Sequence, residues 1–371
     1  MTRPIPFMAL VPPDAAAVRR AVDRVLTRGW FILGPELEAF ERAFATASGV
    51  AHAVGVGTGT DAIALALRAL GIGAGDEVIT TPLSAAFSAV GIVLAGATPV
   101  FADVDPERLT IDPAAVAAAV TPRTAAILPV HLYGQAADMP GLMAVAARHG
   151  LAVVEDACQA HLATCHGQPV GTFGAAAAFS FYPTKNLGAI GDAGAVTTSD
   201  AALADRVRRL RNGGQVNRYE HVERGVNSRL DEIQAAVLTE RLAALPASTT
   251  RRRALARRYR ARLADAPVVV PREADAGHVY HLFVIRTAQR ADFMAHLDAH
   301  GIGTLVHYPI PIPRQAAFRA FARADCPAAD RAAAEVCSLP LHPGLTEAEV
   351  DTIADTIAAW RPAAARTGSP G

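Results

Sequence analysis

Lys185 is the only lysine in the chain; all the other members of its set of 35 basic residues are arginines. The difference is chemical. Arginine stays protonated in proteins, whereas a lysine amine can be tuned to its neutral form, act as a nucleophile and form a Schiff base. Lys185 stands in Phe179-Ser180-Phe181-Tyr182-Pro183-Thr184-Lys185-Asn186-Leu187-Gly188, where an apolar run gives way to a loop rich in proline and glycine. That spacing predicts a position at the end of a buried strand, where active groups gather in open α/β sheets. A loop lysine is ordinarily a solvated charge. Codon bias in a chain rich in Ala, Arg, Gly and Pro explains the arginines, but not where the single exception stands.

Upstream, Val153-Val154 runs directly into Glu155-Asp156. A lysine that forms a Schiff base with pyridoxal phosphate needs a carboxylate partner for the ring nitrogen, which keeps the pyridinium protonated and makes the ring an electron sink. Neighbouring strand residues face opposite ways, and Asp156 is the better placed of the two; its alternative is a strand-end or helix-capping carboxylate. For the phosphate, Gly57-Thr58-Gly59-Thr60-Asp61 offers a turn running into a helix N-terminus, a good anion site. Ser180 could add a hydroxyl. The turn has neither Walker A spacing nor the Gly-x-Gly-x-x-Gly dinucleotide fingerprint, which disfavours a plain dehydrogenase. Metal chemistry fits poorly. His161 and His166 lie near Cys158 and Cys165 without a clean ligand spacing, and His296 and His300 lack the Glu of His-Glu-x-x-His. No Gly-x-Ser-x-Gly elbow is present.

The elements that must position these groups read as an α/β domain. Helices are expected over 14–27 and 34–47, then a strand over 52–56, the glycine turn, and a helix from about 61 to 70. Further apolar runs at 77–80, 98–102, 124–130, 151–155, 175–181 and 193–198 predict a mostly parallel sheet covered on both faces. Helices are expected at 138–149, 228–245 and 249–264. A composition shift over 267–273 predicts entry into a smaller unit with a strand near 280–287, a helix near 290–300, a proline-rich turn at 309–313 and two later helices. The expected division is 1–246, a large domain with an N-terminal arm, and 247–371, a small C-terminal α+β domain. A loose tail is expected over 364–371.

Composition excludes other classes. Lys+Arg 35 balances Asp+Glu 35, with no basic stripe, so a nucleic-acid partner is not expected. Apolar stretches break before membrane-spanning length and no secretory signal is visible. Four cysteines without a CxxC pair point to the cytoplasm rather than to a disulfide framework.

Taken together, these segments resemble the DegT/DnrJ/EryC1/StrS group of pyridoxal-phosphate-dependent sugar aminotransferases, of fold type I. The resemblance runs from about residue 5 to 360 through Val54–Thr60, Gly96–Asp105, Pro129–Gly134, Glu155–His161, Phe179–Asp192, Arg211–Gln215, Gly225–Ala236, His307–Pro311 and Ser338–Pro343. It implies catalytic roles for Lys185, which would hold the cofactor and shuttle the proton, and Asp156, on the pyridine nitrogen. Gln159 would lie near the 3′ oxygen, and Gly59, Thr60 and Ser180 would cradle the phosphate. Asn227 would reach a neighbouring subunit's phosphate in a homodimer with shared sites. Tyr182, Arg229, His307 and Tyr308 would face substrate. The Asn227–Glu232 and His307–Pro311 wording is similar to the branch that aminates 3-keto nucleotide sugars. That implies a dTDP-3-keto-6-deoxyhexose and glutamate; 4-keto sugars, keto-cyclitols and a non-catalytic regulatory protein are the alternatives. Two positions depart from the pattern. Ala85 and Ala86 stand where a ring-stacking aromatic is usual, leaving Phe87 as the nearest, and Pro313 replaces a histidine.

Overall fold

The computed structural model describes residues 4–8 and 14–362; the tail expected over 364–371 lies outside the described residues. Two helices come first, α1 (Ala15–Arg28) and α2 (Pro35–Ser48), each closed by a left-handed glycine, Gly29 and Gly49. Glycine pays no Cβ penalty in that conformation. Then strands and helices alternate: β1 (His52–Val56), α3 (Gly59–Ala69), β2 (Glu77–Thr80), α4 (Phe87–Ala95), β3 (Thr98–Phe101), α5 (Pro113–Ala119), β4 (Thr124–Leu128), α6 (Met139–His149) and β5 (Ala152–Asp156). A small hairpin of β6 (Thr164–Cys165) and β7 (Gln168–Pro169) precedes β8 (Ala176–Ser180) and β9 (Gly194–Thr198).

The main sheet has the order β1-β9-β8-β5-β4-β2-β3. β9 runs antiparallel to both its neighbours, and every other pairing is parallel. Strand alternation divides the core into two layers. Val153, Ala177 and Phe179 face one side with α2 and α6, whereas Val154, Ala176 and Ala178 face the other with α3 and α7. By the same period of two, Asp156 and Ser180 belong to the α3 side and Glu155 to the α2 side.

After β9 come α7 (Ala201–Arg211), a hairpin of β10 (Gln215–Asn217) and β11 (Glu220–His221), and α8 (Glu232–Arg262). Two helices were expected over 228–245 and 249–264; the structure has one, 31 residues long, with Pro246 inside it. Proline removes a helix hydrogen bond at a cost of about 3 kcal/mol. Tertiary packing outweighs that, because α8 buries Leu242 and Leu245 against the main core before the proline, and Leu255, Ala256 and Tyr259 against the C-terminal core after it. The boundary expected at 246 therefore falls in mid-helix. Helix α8 also starts later than expected, at Glu232. Its carboxylate accepts hydrogen bonds from the amides of Gly34 (3.0 Å), Glu36 (2.9 Å) and Leu37 (2.8 Å) and so caps α2.

The C-terminal unit contains an antiparallel pair, β12 (Phe283–Arg286) and β13 (Val336–Leu339), with α9 (Arg290–Ala299), α10 (Pro327–Glu335) and α11 (Glu347–Ala359). Phe283 and Ile285 face its own core, while Leu282 and Val284 join Leu132, Tyr133 and Phe101 of the large unit. This second contact brings residues 307–308 over the end of β5. Among the described residues no helix is long and apolar enough to cross a membrane.

Candidate active site

Glu155 and Asp156 take different partners, as strand alternation requires. Glu155 is fully buried and meets His131 Nε2 at 3.0 Å; its oxygens also accept from the amides of Gly171, Phe173 and Gly174. It pins a loop and is fully used in doing so. Asp156, 4% exposed, turns to the other face. Its Oδ2 accepts from Ser88 Oγ at 2.7 Å and its Oδ1 from the Cys158 amide at 3.1 Å.

Lys185 follows β8 in a turn closed by its amide donating to the Tyr182 carbonyl at 2.8 Å. Burial lowers its pKa, opposed by the neighbouring Cys158 and Asp156. Its charge is felt in turn at three histidines. His161 is held down to about 3 and His307 to about 4, in both cases first by burial and then by Lys185; His281 is lowered by the same two causes. The Cys158 thiol is pushed up by burial and by Asp156, which makes it a packing group rather than a thiolate.

Helix α3 begins with free N-terminal amides beside the end of β8. The Thr58 side chain takes the Asp61 amide at 3.0 Å and the Thr58 carbonyl takes the Ala62 amide. The amides of Gly59 and Thr60 have no acceptor within the helix. Gly59 matters by lacking a side chain: a Cβ there would lie 2.7 Å from Ser180 Cβ and 2.8 Å from Cys158 Sγ. Its absence lets the N-terminus of α3 close onto the end of β8, beside Ser180.

Gln159 is held on both ends of its amide. Its Oε1 accepts from the Tyr133 amide at 2.7 Å, and its Nε2 donates to Tyr308 Oη at 2.9 Å. The Tyr133 hydroxyl donates to the His307 carbonyl, and His307 Nδ1 is hydrogen-bonded to Ser338 Oγ at 2.9 Å. Burial raises the Tyr308 phenol to about 12, so it stays protonated near neutrality.

The structure thus brings Asp156, Gln159, Ser180, Lys185, Gly59, His307 and Tyr308 into one cluster. Thr60 is half-buried beside Gly59. Tyr182 is 51% exposed on the rim, and Phe87 is 65% exposed, because the first turn of α4 directs Ser88 inward. Asn227 is exposed, and Arg229 donates to Asn212 Oδ1 at 3.1 Å, so neither is bonded to the cluster of its own chain. Ser228 between them donates to Asp61 Oδ2 at 2.7 Å and accepts from the Gly57 amide at 2.9 Å, which sets this segment beside the start of α3. Sequence reasoning missed Ser88 and Tyr133. The available signal for Ser88 was a lone hydroxyl in an otherwise apolar helix.

The DegT/DnrJ/EryC1/StrS aminotransferase family model matches residues 13–358. The chain belongs to that family. It is 48% identical over 344 residues to the dTDP-3-amino-3,4,6-trideoxy-alpha-D-glucose transaminase of Streptomyces venezuelae, covering 92% of this chain and 91% of that one. It is 46% identical over 338 residues to the UDP-N-acetyl-3-dehydro-alpha-D-glucosamine 3-aminotransferase of Acidithiobacillus ferrooxidans, covering 91% of each. Among solved structures, S. venezuelae DesV in complex with a ketimine intermediate superposes with a TM-score of 0.94 at 46% identity, covering 97% of this chain and 99% of that one. The chain is a pyridoxal-phosphate-dependent aminotransferase of fold type I, with a mostly parallel large sheet and a smaller C-terminal α+β region. The site residues fit the cofactor: a carboxylate held by two donors, a lysine with a lowered pKa, and uncapped helix amides beside a serine hydroxyl.

Proposed function

We propose that this enzyme moves the amino group of glutamate to the C3 keto carbon of a dTDP-3-keto-6-deoxyhexose, giving the dTDP-3-amino sugar. The observation that carries the reading is the likeness, over nine-tenths of the chain, to two relatives named for amino transfer at sugar C3. Those relatives differ in nucleotide and sugar, so the shared element is the position aminated.

Pyridoxal phosphate, when bound, supplies an electron sink for the carbon that gains or loses a proton. The protein's own groups do the rest. Lys185 would hold the cofactor through Nζ and would carry the proton; burial lowers its pKa and enlarges the neutral, nucleophilic fraction. Asp156 presents an anion to the ring nitrogen. Gln159, fixed by Tyr133 and Tyr308, would face the 3′ oxygen. The Gly59 and Thr60 amides and the Ser180 hydroxyl would bind the phosphate at the positive end of α3. The exposed Asn227 is available to a second copy, in keeping with a homodimer whose sites are shared, and Phe87, at the start of α4, would be the nearest aromatic to the cofactor ring. Tyr182, Arg229, His307 and Tyr308 are placed as substrate contacts. The four free cysteines suit a cytoplasmic enzyme.

The test is amino transfer from glutamate to a panel of 3-keto and 4-keto dTDP-sugars and keto-cyclitols, with the position of the new amine read by NMR. Amination at C3 of a dTDP-6-deoxyhexose is expected. Turnover confined to a 4-keto sugar or a cyclitol overturns the assignment.

A further inference from the structure

Helix α4 has the sequence Phe-Ser-Ala-Val-Gly-Ile-Val-Leu-Ala, and Ser88 is its one polar residue. Ser88 is 2% exposed, next to Ala89, which is fully buried. A hydroxyl in such a place costs stability unless it finds a partner, and alanine is the better helix former. Ser88 has two neighbours. Its Oγ lies 3.4 Å from the buried Ser84 Oγ, and it donates to Asp156 Oδ2 at 2.7 Å.

We infer that Ser88 is a positioning residue for transamination: its hydrogen bond fixes the plane of the Asp156 carboxylate and holds it as the anion that keeps the cofactor's ring nitrogen protonated. The inference rests on the cofactor reading above. A carboxylate rotates readily about its last side-chain bond, because such sp³–sp² torsions have broad wells. One donor, the Cys158 amide on Oδ1, leaves that rotation open; a second donor on Oδ2 closes it. The two donors come from different elements, the end of β5 and the start of α4, so the plane is set by the packing of helix on sheet. The electronic effect has a definite sign. A donor to the charged form stabilises Asp⁻. With the cofactor bound, the proton shared between Asp156 and the ring nitrogen would stay on the nitrogen, and weakening the Ser88 bond would move it toward the carboxylate.

The experiment uses the full-length enzyme loaded with ring-¹⁵N pyridoxal phosphate, comparing wild type, Ser88→Ala and Ser88→Thr. In wild type the ¹⁵N signal is expected at the pyridinium position. In Ser88→Ala it should move toward the neutral-pyridine position, with kcat lowered about tenfold, the scale of one lost hydrogen bond to a charged group. KM for glutamate should stay within about twofold, because Ser88 touches no substrate group. Ser88→Thr keeps the hydroxyl and should recover the pyridinium signal. If Ser88→Ala loses melting temperature but keeps the wild-type ¹⁵N signal, Ser88 is only a structural contact and the inference fails. A wild-type protein that binds no pyridoxal phosphate overturns the cofactor reading and the inference with it; a loaded wild type with an unchanged Ser88→Ala overturns the inference alone.

Discussion

Gly59→Ala is the most direct probe of the proposed phosphate cradle. A Cβ at this position would sit 2.7 Å from Ser180 Cβ and 2.8 Å from Cys158 Sγ, with Ser180 Cα only 3.2 Å away. Carbon atoms rest about 3.5–4.0 Å apart, so relief requires the start of α3 and the end of β8 to separate by about 1 Å. Neither neighbour can swing away: Cβ atoms move only with their backbone, and Cys158 is packed between Asp156 and the Ala178 carbonyl. A displacement of 1 Å turns amide-to-phosphate bonds of normal length into contacts too long to count. Losing one or two hydrogen bonds to a charged group, at about 1.5–3 kcal/mol each, weakens binding roughly 10-fold to 10,000-fold. Overpacking should add about 1–3 kcal/mol of destabilisation. Pyridoxal phosphate titrated into apo-enzyme, followed by its absorbance, measures the first effect, and urea unfolding of the apo-enzyme the second. An affinity within threefold of wild type would show that the Gly59 and Thr60 amides are not the phosphate ligands.

Lys185→Ala should abolish transamination with little change in apo-enzyme melting temperature; borohydride reduction of the wild type should place the cofactor label on the peptide carrying Lys185, and label elsewhere contradicts the assignment. Glu232→Gln removes the charge that accepts from three amides at the start of α2, so urea unfolding should show a loss of about 2–4 kcal/mol while cofactor absorbance stays the same. Acid should destabilise the fold through its buried histidines. His161 and His278 titrate near 3 and His307 near 4, each lowered first by burial, so between roughly pH 6.5 and 4 the unfolded chain binds protons that the folded chain refuses. Stability is therefore full above pH 7 and falls as pH drops through that window; His278→Gln should flatten the slope by about one proton, and an unchanged slope speaks against the mechanism.

The sheet was readable from sequence because its strands are continuous apolar runs, and β1, β5, β8 and β9 fall within a residue or two of their expected limits. That Glu155 and Asp156 would take different partners was also legible, since a period of two sends adjacent side chains to opposite faces. What could not be read depended on contacts between distant segments. Ser88 meets Asp156 across 68 residues and Gln159 meets Tyr308 across 149, separations at which one sequence gives no pairing signal. Pro246 was misleading for a related reason. Its local cost is easily seen, whereas the two cores that hold α8 continuous through it exist only after folding.

That uninterrupted helix has a mechanical consequence. At 1.5 Å per residue, 31 residues make a strut of about 46 Å. One end is tied to the N-terminal helices by Glu232 and by the Arg24–Glu240 and Arg241–Asp14 ion pairs; the other is tied to α11 by Arg258 and Asp351. The units on either side share a girder instead of meeting at a joint. The enzyme is thus a poor subject for modular exchange: a chimera spliced at residue 246 would inherit half a beam from each parent, and a graft that keeps the whole strut with one parent has the better prospect of folding.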